Sequence, residues 1–211
     1  QVLQEYFGYD TFRPGQGELI DALLSGRDAF GVMPTGGGKS LCYQVPALLL
    51  PGVTVVVSPL ISLMRDQVLA LKKAGVGEAY LNSSLTQPQM DQVCRRLLAG
   101  EYRLLYVAPE RLLADRFLSV VRQLDVAMVA VDEAHCISQW GQDFRPSYLR
   151  IVEFLRGLPR RPVVAAFTAT ATAQVREDIR RILELQDPLE MVTGFDRPNL
   201  RFEVLHPKNK A

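Results

Sequence analysis

Short apolar runs alternate with segments of helical period along this chain. Runs at 29–33, 54–58, 78–81, 104–107, 127–131 and 163–167 read as strands, bounded by glycine, proline or polar residues. Between them, 62–74, 87–98 and 172–183 read as helices. In the last of these, Glu177 and Arg181 stand four apart, a spacing that predicts an ion pair on the helix surface. The runs "TVVVS" and "AMVAV" are apolar at consecutive positions, so both of their faces are covered, as in a parallel sheet flanked by helices. The alternation predicts an α/β domain. In such folds ligands bind at the carboxyl ends of strands, so residues with chemistry should directly follow strands.

The stretch 45–64 runs twenty residues without a charge, but Pro46, Pro51, Gly52 and Pro59 interrupt it. It reads as a helix end, a turn and a short buried strand rather than a membrane span. No internal repeat or low-complexity segment is visible. After Asp196 the sequence "RPNLRFEVLHPKNKA" turns polar and proline-containing. The expected division is therefore one domain over 1–198 and the start of a connection over 199–211.

Composition adds limits. A chain of 211 residues, 48% hydrophobic and 22% charged, is that of a soluble globular domain with a substantial core. The net charge of +1 provides no general cationic field, so attachment to nucleic acid must rest on local patches. Cys42, Cys94 and Cys136 lie far apart without metal-ligand spacing, so neither zinc nor a disulfide framework is expected, and a reduced, intracellular compartment fits. The chain starts at Gln1 rather than methionine and is expected to be a piece of a longer protein.

The chemistry concentrates in two places. "MPTGGGKSLCYQ", residues 33–44, follows a predicted strand and precedes a predicted helix, the setting of a phosphate-binding loop. Glycines let the backbone wrap so that its N–H groups point at phosphate oxygens, reinforced by the helix N-terminus. Lys39 would neutralise the β- and γ-phosphates, and the Ser40 hydroxyl would ligate Mg²⁺. Met33 departs from the strict pattern, which wants a glycine there. The second place is "VAVDEAH", residues 129–135, where Asp132 and Glu133 directly follow an apolar strand. Ionised groups beside a core are costly unless paired or metal-bound. Nucleotide-bound Mg²⁺ is the reason for Asp132, and Glu133 can orient and deprotonate an attacking water. Together the motifs predict hydrolysis of ATP or GTP.

These blocks resemble superfamily-two helicases, whose loop accepts a non-glycine first residue and asks for Thr-Gly-x-Gly-Lys, here Thr35, Gly36, Gly37, Gly38 and Lys39. More narrowly, "FGYDTFRPGQ", "SPLISLMRDQ", "YVAPERL", "DEAHCISQWGQDFRP", "FTATA" and "FDRPNLRF" are similar to the RecQ DNA helicases in order and spacing, over nearly the whole chain. The resemblance implies a RecA-like P-loop domain, with a mostly parallel sheet and helices on both faces. It implies an ATP-dependent, 3′-to-5′ DNA helicase of which this is the first motor domain, with a bacterial source expected.

The resemblance also assigns residues. Gln16 would pair with adenine N6 and N7, a pattern that guanine reverses at its six position. Tyr9 would stack on the base and Arg13 would support it. Trp140, Phe144 and Arg145 would form a loop that senses single-stranded DNA, although Trp140 taken alone reads as a loop anchor. His135 would relay between that loop and the acids. Ser58, Ser62 and Arg65 after one strand, and Arg111 after another, would hold the sugar–phosphate track. Thr168 and Thr170 would connect the γ-phosphate side to the DNA side. The basic run Arg145, Arg150, Arg156, Arg160 and Arg161 reads equally as a DNA-facing strip or a solvated helix face.

The implied cofactors are ATP and Mg²⁺. The implied partners are single-stranded and duplex-junction DNA and a second RecA-like domain of the same polypeptide, with no membrane. Location would be the bacterial cytoplasm, on the nucleoid, or the nucleus in a eukaryote. Without the second domain the chain is expected to hydrolyse slowly and unwind nothing. Two other readings stay open: a nucleotide-controlled DNA-binding module, and an RNA helicase of the same superfamily. A small-molecule kinase is disfavoured, since nothing resembles an acceptor pocket or lid.

Overall fold

The computed structural model describes residues 1–193; "FDRPNLRF" and the expected boundary at 198 lie outside the described residues. The strands are β1 Ala29–Val32, β2 Val53–Val57, β3 Glu78–Leu81, β4 Leu104–Val107, β5 Val126–Val131, β6 Val163–Thr168 and β7 Leu189–Val192. The α-helices are α1 Val2–Phe7, α2 Gln16–Leu24, α3 Lys39–Leu49, α4 Ile61–Lys73, α5 Gln87–Leu98, α6 Asp115–Val121, α7 Arg150–Arg156 and α8 Ala173–Ile182. Short 3-10 turns cover Pro109–Arg111, Ala134–Ile137 and Pro146–Leu149.

The strands form one seven-stranded sheet in the order β3-β4-β2-β5-β6-β1-β7, and every neighbouring pair is parallel. Alternation along each strand divides the core in two. Val53, Val55 and Val57 of β2 and Val129 and Val131 of β5 face α5–α8, meeting Met90, Phe117, Phe154 and Ile179. Val56, Met128 and Ala130 face α2–α4, meeting Leu23, Tyr43, Met64 and Leu71. Both faces are thus covered, as the uninterrupted valine runs require. The uncharged stretch 45–64 resolves into the end of α3 with Pro46 inside it, a turn, β2 and the start of α4. Among the described residues no helix is long and apolar enough to cross a membrane.

All strands point the same way, so their carboxyl ends share one edge of the sheet. Across that edge lie the turn with Arg111 after β4, the segment 58–62 after β2, the acid pair after β5, Thr168 at the end of β6 and the glycine loop after β1. The sheet order therefore sets the residues assigned to the sugar–phosphate track on one half of the edge and the glycine loop on the other, with β5 and β6 between.

Several expectations are corrected. Glu177 pairs not with Arg181 but with Arg180 at 3.3 Å, while Arg181 pairs with Asp178 at 3.0 Å. The buried Asp178 is the stronger attractor, because it is already fixed by the Ser138 hydroxyl. Strand β7 was not anticipated; "LEMV" sits at the edge, is only partly buried and carries a glutamate, so its sequence lacks an apolar run. The basic run is no free strip: Arg145 pairs with Asp143, Arg156 with Glu184, Arg160 with Asp125 and Arg161 with Asp28. Arg150 instead donates to the Glu110 carbonyl.

Asp28, 2% exposed, has a structural task. It accepts from Arg161 at 2.6 Å and from the Val164 and Gln186 N–H groups, tying the start of β1 to β6 and to the approach to β7.

Candidate functional site

Met33, the residue that breaks the strict loop pattern, turns its side chain into the core and is 1% exposed. Its N–H donates to the Thr168 carbonyl at 2.9 Å, so the chain stays sheet-like until the loop begins. Gly36 and Gly38 both adopt φ +78, a left-handed conformation that other residues take up at a cost. Gly38 caps α3, which makes Lys39 and Ser40 the first two residues of an eleven-residue helix. Their N–H groups belong to the unpaired set at a helix N-terminus, which attracts anions. Lys39 Nζ donates to the Met33 carbonyl at 3.2 Å, folding back over the loop.

Asp132 follows β5 and is 7% exposed. Burial, and next the Glu133 charge, push its carboxyl up to about 6, against the pull of the Glu133 N–H and of Lys39. That N–H donates to Asp132 Oδ1 at 2.9 Å. Glu133 has φ 49 and ψ 45, a left-handed conformation unusual outside glycine, and it bends the chain into the turn Ala134–Ile137. Strain of this kind persists where the surroundings enforce it and gathers at functional sites.

Lys39 and Asp132 line one cleft of about 450 Å³, together with Thr35, Gly36, Gly38, Ser40 and Glu133. Tyr9, Arg13 and Gln16 line the same cleft. Gln16 is 1% exposed; its Nε2 donates to the Gly38 carbonyl at 3.0 Å and its Oε1 accepts the Arg13 N–H at 2.8 Å. Arg13 Nη1 donates to the Gly36 carbonyl. Two side chains assigned to the base therefore also bond the Gly36 and Gly38 carbonyls of the loop, and Gln16 retains one N–H and one lone pair beyond these bonds. Tyr9 is 52% exposed, an open aromatic face at the cleft mouth. Gly37 does not line the cleft; its N–H donates to the Pro34 carbonyl at 2.8 Å and closes the turn of the loop.

Beyond the acids, His135 Nδ1 lies 2.8 Å from Thr168 Oγ1 and 3.4 Å from Glu133 Oε2. The Thr168 hydroxyl donates to the Thr170 carbonyl at 3.1 Å, so its remaining role toward His135 is to accept, which puts the ring proton on Nδ1. Trp140 is 73% exposed and lines a shallow cavity with His135, Thr170 and Thr172. Its loop is anchored by Ser138, whose hydroxyl accepts the Trp140 N–H at 3.1 Å and donates to Asp178 on α8 at 2.7 Å. The anchor of this loop is thus Ser138, not Trp140. Phe144 is half-buried beside Trp140.

Among the residues assigned to a phosphate track, Ser62 and Arg65 are exposed on α4, and Arg111 is half-buried in its 3-10 turn. Ser58 is not available: it is 3% exposed, and its hydroxyl accepts the Leu60 N–H at 3.5 Å. It shapes the turn from β2 into α4. The cation of Arg145 is bound to Asp143 at 2.8 Å, which leaves the loop two aromatic rings without a free charge. Phe7, Thr11, Tyr43, Gln44 and Gln67 also line the main cleft and were missed. Gln44 had a signal, since it lies four residues after Ser40 on one helix face; Gln67 had none.

The chain belongs to the DEAD/DEAH box helicase family, whose model matches residues 13–179. Nucleotide use goes with that family, and the cleft is where the loop and acid pair meet. Within it, the sequence is 49% identical over 99% of this chain to ATP-dependent DNA helicase RecQ of Bacillus subtilis, covering 36% of that protein. It is also 49% identical over 97% of this chain to ATP-dependent DNA helicase RecQ of Pasteurella multocida, covering 32% of it. The chain thus spans about a third of the length of these relatives. The fold also matches the DUF1998 helicase MrfA bound to DNA, with TM-score 0.70 and 16% identity over 90% of this chain and 28% of that one.

Proposed function

We propose that this chain is the first RecA-like motor domain of a RecQ-type helicase, hydrolysing ATP in the cleft and moving 3′ to 5′ along single-stranded DNA. The observation that carries the reading is that Lys39 and Asp132, about ninety residues apart, open onto one cleft. The loop N–H groups and the start of α3 hold the phosphates, and Lys39 swings from the Met33 carbonyl to the β- and γ-oxygens. Gln16 and Tyr9 hold the base.

The site fits Mg²⁺. Asp132 and Ser40 present hard oxygen donors in the same cleft, and the buried Asp132 carboxylate lacks a full counter-charge. Mg²⁺ is commonly held by one or two protein oxygens together with substrate phosphates, which would supply its remaining ligands here. When bound, the ion neutralises developing phosphate charge. Glu133 orients the water and takes its proton.

DNA is held through Ser62, Arg65 and Arg111 and read by stacking on Trp140. His135 and Thr168 pass its presence to Glu133. A second RecA-like domain would close the cleft and supply an arginine worth about 10³–10⁵ in turnover. The setting is bacterial cytoplasm. ATP turnover with and without single-stranded DNA tests the reading, and robust unwinding by this chain alone would contradict it.

A further inference from the structure

Gln44 sits on α3 one turn beyond Ser40, and Gln67 sits on α4 two residues beyond Arg65. Gln44 is 4% exposed, and its Nε2 donates to Gln67 Oε1 at 2.7 Å and to the Tyr106 hydroxyl oxygen at 2.9 Å. Tyr106 belongs to β4, which runs on toward Arg111. One amide therefore ties together the helix that opens with Lys39, the helix that carries Ser62 and Arg65, and the strand that leads to Arg111. Among the described residues, the Gln44–Gln67 contact is the only hydrogen bond joining α3 to α4.

A buried amide is costly unless its donors are met. Here both N–H groups are. An aliphatic side chain would fill the space without that demand, so what the amide adds is a fixed placement of α4 against α3. Gln44 and Gln67 also line the cleft beside Lys39 and Asp132. A triphosphate seated on the loop thus meets the same helix face that holds α4.

We infer that Gln44 and Gln67 are positioning residues through which nucleotide in the cleft sets the placement of the phosphate track on α4, by a route separate from the His135–Thr168 link. The inference rests on the nucleotide and DNA reading proposed above. Coupling of this kind is reciprocal, so it appears as a change in DNA affinity when nucleotide binds.

The test measures single-stranded DNA affinity with and without a non-hydrolysable ATP analogue, in the unaltered protein, Gln67→Met and Gln67→Glu. Gln67→Met keeps length and loses the acceptor; Gln67→Glu keeps an acceptor of equal reach. The unaltered protein and Gln67→Glu should shift DNA affinity at least about fivefold on adding the analogue, and Gln67→Met less than about twofold. Full coupling in Gln67→Met, or its loss in both variants, overturns the inference and leaves the nucleotide and DNA reading standing. Absence of coupling in the unaltered protein removes the inference, and absence of binding removes that reading with it. Should Gln67→Met fail to fold, Tyr106→Phe removes the second acceptor of the same amide while keeping the ring. Reduced coupling there supports the inference, and unchanged coupling overturns it.

Discussion

His135 and Thr168, 33 residues apart in sequence, are joined by a 2.8 Å hydrogen bond across the ends of neighbouring strands. Thr168 also accepts the Met33 N–H on its carbonyl, so one residue touches both the entry to the glycine loop and the histidine beside the acids. Thr168→Val keeps the shape and removes the hydroxyl. Loss of one such bond is worth about 0.5–1.5 kcal/mol. The ratio of ATP turnover with and without single-stranded DNA should fall about 2- to 13-fold. An unchanged ratio would leave Thr168 with packing alone.

Asp132 is held in the fold at a cost. Its carboxyl rises from 3.8 to about 6, chiefly through burial. Between those values the folded state keeps a proton that the unfolded chain has lost, so stability falls as pH rises through the window. Asp132→Asn retains the acceptor for the Glu133 N–H and cannot ionise. It should be more stable than the unaltered protein by about 2–3 kcal/mol near neutral pH, with the gain vanishing below pH 3.8, and inactive. Denaturant melts at several pH values measure this.

Gln16→Ala should affect more than the base. Its amide bonds to the Gly38 carbonyl and the Arg13 N–H, so its loss frees both the loop and the segment before α2. KM for ATP should rise about tenfold, as expected for roughly 1.4 kcal/mol of lost binding, and ATP-over-GTP preference should shrink. Competition kinetics with both nucleotides decide it.

The parallel sheet and the cleft were legible because their signals are local. Uninterrupted apolar runs mark strands covered on both faces, and strand-end placement marks "PTGGGKS" and "DEAH" as chemistry. What stayed hidden depends on partners far away in sequence. Nothing near Ser58 announces its burial, and nothing near Arg156, Arg160 or Arg161 reveals that Glu184, Asp125 and Asp28 will meet them. Gln67 enters the cleft only because α4 packs beside α3. The Ser138–Asp178 pair that anchors the loop left no local signal, because its two members stand 40 residues apart.

Trp140 is 73% exposed, so Trp140→Ala should change folding stability by less than about 0.5 kcal/mol. Its affinity for single-stranded DNA should drop about 5- to 100-fold, the equivalent of one stacked base. Fluorescence anisotropy of a labelled oligonucleotide, beside a thermal melt, separates the two. A large loss of stability with intact DNA binding would make Trp140 structural.

Hydrolysis in one cleft under the control of DNA is the central claim. The direct measurement is steady-state ATP turnover with and without single-stranded DNA, for the unaltered protein and Glu133→Gln. DNA-stimulated turnover in the former, and a loss of about 10²–10⁴-fold with nucleotide still bound in the latter, is the expected result. Turnover by Glu133→Gln at the rate of the unaltered protein would contradict it.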